Sequence, residues 1–227
     1  MRQSTDLGSR AAAAPNSHSC VVVIDDDEGF RESLGRLLRA VGVNPRLFAS
    51  INDFVRSDPP DSPTCLVLDV RLPERSGLDF QRDLAAAGVT LPIVFVTGHG
   101  DIPMSVQAMK AGAIEFLTKP FREQDLLDAI SAGLARDRVR RQNDEVLSEV
   151  RARFQLLTAR ERVILARVAE GRLNKQIAGE LGITETTVKV HRSNMMKKIG
   201  ATSVPQLCRM VDKLKLLKLL PENSKLA

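Results

Sequence analysis

The chain has 227 residues, 43% hydrophobic and 27% charged, a composition of soluble globular domains and a length that suits one large domain or two ordinary ones. With no Trp, no Tyr and 8 Phe, its cores must be mostly aliphatic, and nucleic-acid binding by stacked aromatics is disfavoured. The net charge of +5 is uneven: residues 18–138 carry 13 Lys and Arg against 18 Asp and Glu, residues 139–227 carry 18 against 9, so the basic half is the candidate polyanion binder.

Residues 1–19 lack the apolar stretch of a secretory signal and are expected to form a disordered tail. No apolar run approaches the ~20 residues of a membrane span. Cys20, Cys65 and Cys208 are odd in number and lack metal-ligand spacing, so they read as reduced thiols of a cytoplasmic protein, with Cys65 packed in a strand.

Val21 to Ile24 is a β-branched run of the kind buried on both faces of a sheet. Phe30, Leu34, Leu37, Leu38 and Val41 mark one helix face, stopped by Gly42. A second strand is expected around Arg46 to Phe48, and Ser50 caps a short helix. Cys65 to Leu68 is a third strand, followed by a helix from Gly77 to Ala87. Ile93 to Val96 is a fourth, and Pro103 sits in the first turn of a helix closed by Gly112. Ile114 to Leu117 is a fifth, and Phe121 onward is helical. Five alternations of strand and helix with short links imply a parallel sheet covered on both faces. The working site of such a sheet lies at the carboxyl ends of its strands.

Those ends carry Asp25, Asp26 and Asp27, then Asp69, then Thr97, then Lys119. Clustered carboxylates repel unless a cation joins them, and an open, oxygen-rich site suits Mg²⁺. A carboxylate can also attack phosphorus to form an acyl phosphate, whose oxygens a metal, an ammonium and a hydroxyl would neutralise. Taken singly, Asp27 reads better as a helix N-cap. His99, between Gly98 and Gly100, reads as a loop residue or a kinase contact rather than a ligand.

Val23 to Asp27, Leu68 to Gly77, Val96 to Asp101 and Lys119-Pro120-Phe121 resemble the signatures of response-regulator receiver domains over about residues 20–135. The resemblance implies a flavodoxin-like sheet of order 2-1-3-4-5. It implies Asp69 as acceptor of a phosphoryl group from a sensor histidine kinase. Mg²⁺ would be held by Asp26, Asp69 and the backbone carbonyl of Arg71, with Asp25 holding the water shell. Thr97 and Lys119 would contact the phosphate, Thr97 and Phe116 would form the switch, and Lys119-Pro120 would be cis. Phe116 departs from the many receivers that place a hydroxyl-bearing aromatic there, so it cannot donate a hydrogen bond.

Residues 139–157 are dense in charge, with Leu147, Val150, Phe154 and Leu157 at spacings of 3, 4 and 3. This seam fits either partner docking or packing onto the next domain. Thr158 with Glu161 is a capping box. Further helices are expected to Glu170, from Asn174 to Leu181, from Thr184 to Ile199, and from Ser203 (a second box, with Gln206) to about Leu217. In the third, Val188, Met195 and Ile199 form a buried stripe. Thr186, Thr187, Lys189, Val190, Arg192, Ser193, Asn194 and Lys197 are the candidate DNA contacts of a helix entering the major groove. An ordinary solvated basic face explains that helix alone equally well.

Leu157 to Leu165, Gly171, Asn174 to Ala178, Leu181, Thr187 to Arg192 and Lys198-Ile199-Gly200 resemble the LuxR-type helix-turn-helix domain. The expected organisation is therefore a tail at 1–19, a receiver at 20–137, a helical linker at 138–156, a four-helix LuxR-type domain at 157–217 and a tail at 218–227. Receiver plus LuxR-type domain is the FixJ/NarL layout, and the Gly98 to Asp101 loop leans to the FixJ branch. That implies a transcriptional regulator, expected to be an activator, that dimerises when phosphorylated, binds promoter DNA and meets RNA polymerase. His191 is expected to pack inward. A haloacid-dehalogenase-like phosphatase is disfavoured because it needs a second Asp where Arg71 stands, so the protein is not expected to be an enzyme. A flavin-binding reading is disfavoured by the acidic strand ends, and a switch with a vestigial DNA module by Lys189 and Arg192.

Overall fold

The computed structural model describes residues 19–220. The expected tails at 1–19 and 218–227 lie mostly outside these residues, but Ser19 is buried against the first strand. The chain forms two compact units that meet between Arg141 and Gln142.

In the first unit strands and helices alternate: β1 (Cys20–Ile24), α1 (Glu28–Ala40), β2 (Asn44–Phe48), α2 (Ile51–Arg56), β3 (Thr64–Asp69), α3 (Gly77–Ala86), β4 (Ile93–Thr97), α4 (Ile102–Lys110), β5 (Glu115–Thr118) and the start of α5 (Glu123–Gln155). The strands make one parallel sheet of order β2-β1-β3-β4-β5, as the receiver resemblance implied. β1, β3 and β4 are buried along their whole length, which explains why they read as unbroken apolar runs. The outer strands β2 and β5 are only half covered, and Pro45 is tolerated in β2 because an edge strand can lose a ladder donor. β5 begins one residue later than the apolar run at 114, although the Ile114 N–H still bonds to the Ile93 carbonyl at 2.7 Å.

Alternate residues of each strand feed two cores. Val22, Ile24, Leu66, Leu68 and Phe95 face one side with Phe80 of α3. Val21, Val23, Val67, Val94 and Val96 face the other with Leu34, Leu38, Leu126 and Ile130 of α1 and α5. Each fully buried large side chain contributes about 1.5–3 kcal/mol. Cys65 is one of this second set, and burial, with the charge of Asp137 adding to it, pushes its thiol up to about 12, so it stays protonated and inert.

α5 runs unbroken through the junction of the two units. Asp137, wholly buried, accepts the Thr64 N–H at 2.9 Å and pairs with Arg140 and Arg141. Arg141 also donates to the Pro60 carbonyl at 2.8 Å. This cluster ties α5 to the amino-terminal end of β3.

The second unit adds α6 (Ala159–Ala169), α7 (Asn174–Leu181), α8 (Glu185–Ile199) and α9 (Val204–Leu216). Its core joins Ile164, Leu165, Ile177, Val188, Met195, Ile199 and Leu207 to Val150, Phe154 and Leu157. Three of the four residues of the expected apolar seam, Val150, Phe154 and Leu157, therefore pack inward on this unit, while Leu147 is half-buried and outside that core. The cap at Thr158 is the reciprocal box expected. The one at Ser203 is half of one: Ser203 accepts the Gln206 N–H, but Gln206 accepts the N–H and hydroxyl of Thr202 instead. Leu220, expected in a tail, is buried in this core. Lys218 makes the turn after α9 at φ 54°, and the Leu219 N–H returns to the Leu214 carbonyl at 3.0 Å, closing a Schellman-type end.

Gly133 of α5 lies against Cys65, where an added Cβ would come within 2.5 Å of the sulfur. Gly133→Ala should destabilise the first unit by about 1–3 kcal/mol by overpacking. In urea unfolding, Cys65→Ala should recover part of that loss in the double variant. Strict additivity of the two changes would contradict this packing.

Candidate functional site

The acidic site forms because β1 and β3 are neighbours and end at the same edge, with Asp25 following Ile24 and Asp69 closing β3. Oxygens of Asp25, Asp26 and Asp69 lie within 4.8 Å of one another. Asp25 and Asp69 are buried and Asp26 is exposed, so the cluster opens to solvent on the Asp26 side. The loop backbone holds it in shape: the Asp27 N–H donates to Asp25 at 3.0 Å and the Arg71 N–H to Asp69 at 2.9 Å. Arg31 donates to the Asp25 carbonyl at 2.7 Å. Asp27 is the N-cap of α1, the structural role expected for it. Arg71 itself is exposed in the loop after β3. That loop closes through the Gly77 N–H to the Val70 carbonyl at 2.9 Å. Gly77 is required there because a Cβ would strike the Asp69 carbonyl.

Lys119 reaches the cluster from the end of β5, after which Lys119-Pro120 is cis. Its ammonium is 2.6 Å from Asp25 and 3.3 Å from Asp69. Burial pushes the Asp25 carboxyl above its usual range, and the Asp69 charge adds to this, while Lys119 and the Asp27 N–H oppose it. Three carboxylates against one ammonium leave a formal charge of −2, which a divalent cation would balance. The donors are all hard oxygens, the set Mg²⁺ takes.

Thr97 is buried on β4, one residue beyond the partner of Asp69, and its hydroxyl accepts the His99 N–H at 3.3 Å. Phe116 is half-buried on β5, its ring 6.2 Å from that of Phe95. Gly100 leaves room for it, since a Cβ there would come within 2.8 Å of the Phe116 ring and 3.2 Å of Thr97. His99 is exposed. The structure thus brings together Asp25, Asp26, Asp69 and Lys119, and sets Thr97 and Phe116 on the two adjoining strands.

In the second unit α7 and α8 are joined by Gly182 in the left-handed conformation and by Thr184, which caps α8 by accepting the Thr187 N–H at 3.2 Å. Of the eight candidate DNA contacts, Thr186, Lys189, Val190, Ser193, Asn194 and Lys197 are exposed. Thr186, Val190, Ser193 and Lys197 follow each other at spacings of 4, 3 and 4, one continuous stripe. Lys189 pairs with Glu185 one turn back, at 3.3 Å. The other two candidates are partly covered and already have partners within the unit. Thr187 is half-buried and hydrogen-bonded to the Thr184 hydroxyl at 2.8 Å. Arg192 is half-buried and donates to Asn174 at the start of α7, at 2.9 Å. It braces the two helices of the motif. His191 is half-buried.

The carboxyl end of α8 is clamped twice. Lys198 donates to Glu161, the buried third residue of α6, at 2.8 Å, and Arg153 of α5 donates to the Ile199 carbonyl at 3.4 Å. Gly200 ends the helix at φ 76°, where a Cβ would strike the Arg153 guanidinium. Asn174 stood in the sequence only as the start of a helix and of a stretch resembling the LuxR-type domain, and Arg153 only as one charge of a charged segment; neither pattern named the partner it takes.

The chain matches the response regulator receiver domain model over residues 21–131, and the bacterial regulatory protein, luxR family, model over residues 155–211. It is 47% identical to Nodulation protein W of Bradyrhizobium diazoefficiens over 88% of this chain and 88% of that one. The chain belongs to the response regulators with a receiver and a LuxR-type domain. Transcriptional regulatory protein FixJ of Azorhizobium caulinodans is 42% identical over 84% of this regulator and 90% of its own length. The solved structure of response regulator StyR covers 86% of this chain and 99% of that one, with 49% identity and a TM-score of 0.79. As a member of this family the regulator is a transcription factor of a two-component system rather than an enzyme, as the sequence implied.

Burial works to raise the Glu161 carboxyl, but hydrogen bonds from Lys198 and from the N–H and hydroxyl of Thr158 outweigh it and hold it below the usual carboxylate range. Its contribution should therefore be complete above its ordinary value near ~4.3 and be lost as pH falls through the lower, folded value. Glu161→Gln should cost the second unit about 1–3 kcal/mol at pH 7. Thermal melts followed by circular dichroism should then lose part of their acid sensitivity; an unchanged pH profile would count against the clamp.

Proposed function

We propose that Asp69 is the phosphoacceptor through which a sensor histidine kinase controls promoter binding by the LuxR-type domain. The observation that carries this reading is the cluster of Asp25, Asp26, Asp69 and Lys119 on the same chain as an exposed, cation-bearing recognition helix. An oxygen of Asp69 attacks the phosphorus of a phosphohistidine. The new O–P bond forms as the N–P bond breaks, and the electron pair returns to the imidazole. Mg²⁺, held by Asp26, Asp69 and the Arg71 carbonyl with Asp25 on its water shell, would supply charge neutralisation for the phosphoryl oxygens. Lys119, already beside Asp69, contributes a further positive charge at the same place.

Thr97 then exchanges its hydrogen bond from the His99 N–H for one to the phosphoryl group, and Phe116 moves into the space it vacates. The face affected is that of α4 and β5. There Ile102, Val106 and Met109 form an exposed apolar stripe at spacings of 4 and 3, which supports pairing with a second copy. Two LuxR-type domains then address adjacent half-sites of promoter DNA. Thr186, Val190, Ser193, Asn194 and Lys197 read the groove with Lys189, while Thr187 and Arg192 hold the helix in place. We infer activation, through RNA polymerase, in the cytoplasm. Among the described residues no helix is long and apolar enough to cross a membrane.

Acetyl phosphate with Mg²⁺ should dimerise the wild type in sedimentation velocity and raise its promoter affinity. Asp69→Asn, or wild type with the metal chelated, should show neither change, and a full response by Asp69→Asn would overturn the reading. Lys189→Ala should weaken promoter binding and reduce the slope of log K against log salt by about 1 if it contacts a phosphate. An unaltered slope and affinity would remove Lys189 from the interface.

A further inference from the structure

Lys119 has a neighbour besides the carboxylates. Its ammonium lies 3.7 Å from the centroid of the Phe30 ring, on the first turns of α1, which Asp27 caps. Phe30 is itself fixed by an edge-to-face contact with Phe121, at 6.1 Å and 88°, two residues beyond Lys119. The ammonium therefore sits on an aromatic face and also touches Asp25 and Asp69, and Lys119 is only partly exposed. Read from the sequence, Phe30 is simply the first apolar residue of a helix face, and it does pack beside the second core.

We propose that Phe30 is a positioning residue for phosphoryl transfer, its ring face holding the Lys119 ammonium where it meets the phosphoryl oxygens on Asp69. The face of an aromatic ring carries negative potential and attracts a cation, most strongly where water is excluded. A ring against the ammonium also limits the water that can solvate it, so its N–H groups turn to the anionic side. An aliphatic side chain at position 30 could fill the same space but would offer no such attraction. The expected loss on removing it is about 3- to 30-fold in the rate of phosphoryl incorporation.

The proposal rests on Asp69 being the phosphoacceptor, and the test separates the two. Phe30 is replaced in the full chain by mono-, di- and trifluorophenylalanine, which keep the ring's shape while draining its face of negative potential. Phe30→Leu and Phe30→Trp complete the series. Incorporation from acetyl phosphate is timed in Mg²⁺; in that step Asp69 oxygen bonds to phosphorus while acetate leaves with the electron pair. The rate should fall progressively with fluorination and be lowest in Phe30→Leu, and Phe30→Trp should restore it. In metal-free protein, the Lys119 ε-methylene resonances should be shifted upfield by the ring and lose that shift in Phe30→Leu. Rates that stay flat or rise across the fluorinated series, or an unshifted Lys119, would overturn the role of Phe30. A wild-type protein that takes up no phosphoryl group would instead overturn the reading of Asp69, while the resonance shift still reports on the ring contact.

Discussion

The Lys119 ammonium holds two carboxylates together, 2.6 Å from Asp25 and 3.3 Å from Asp69. That one contact requires three chain segments to end at the same place. Asp25 follows β1, Asp69 closes β3 and Lys119 follows β5, so all three strands must point the same way and be set at the right separation. A parallel sheet of order β2-β1-β3-β4-β5 meets the requirement, and helices on both faces are the cost of making it parallel. The two cores on either side of the sheet are what keep like charges near each other. Without that rigid support the carboxylates would separate, since like charges repel.

The second unit solves a different problem, which is to present one helix at a fixed tilt. α8 buries Val188, Met195 and Ile199 and leaves its opposite stripe open. Its middle is tied by Arg192 to Asn174 at the start of α7, and its end by Glu161 and Arg153. Arg153 belongs to α5, the helix that runs through the junction between the units. The residues that hold α8 in place are thus distinct from its exposed stripe of Thr186, Val190, Ser193 and Lys197. They are long polar side chains that span from one helix to another.

Much of this was legible in the residues alone. Strands β1, β3 and β4 stand out because burial on both faces forces continuous apolar runs. The caps at Ser50, Thr158 and Thr184 are local chemistry and formed as read. The acidic site was legible for the same reason, because strand ends in a parallel sheet share an edge. Where the pattern was not enough, a polar side chain had more than one partner in reach. Gln206 had Ser203 and Thr202 equally within reach and bonded Thr202. Arg192 and Thr187 lie on a polar-looking face but turn to partners on α7 and at the α8 cap. The charged segment after residue 138 offered an apolar seam without saying what it would cover, and the core of the second unit took three of its four residues.

The sequence by itself determined the order and type of the elements, the acidic strand ends, and the recognition helix with its buried stripe. Periodicity, capping and β-branching act within a few residues, so no distant part of the chain is needed to read them. Only the tertiary structure decided which partners the long side chains would take: Lys119 on the face of Phe30, Arg192 on Asn174, Arg153 on the end of α8. Such a side chain can reach several partners, and the choice depends on ångström-scale separations between elements that are set by the packing of the cores.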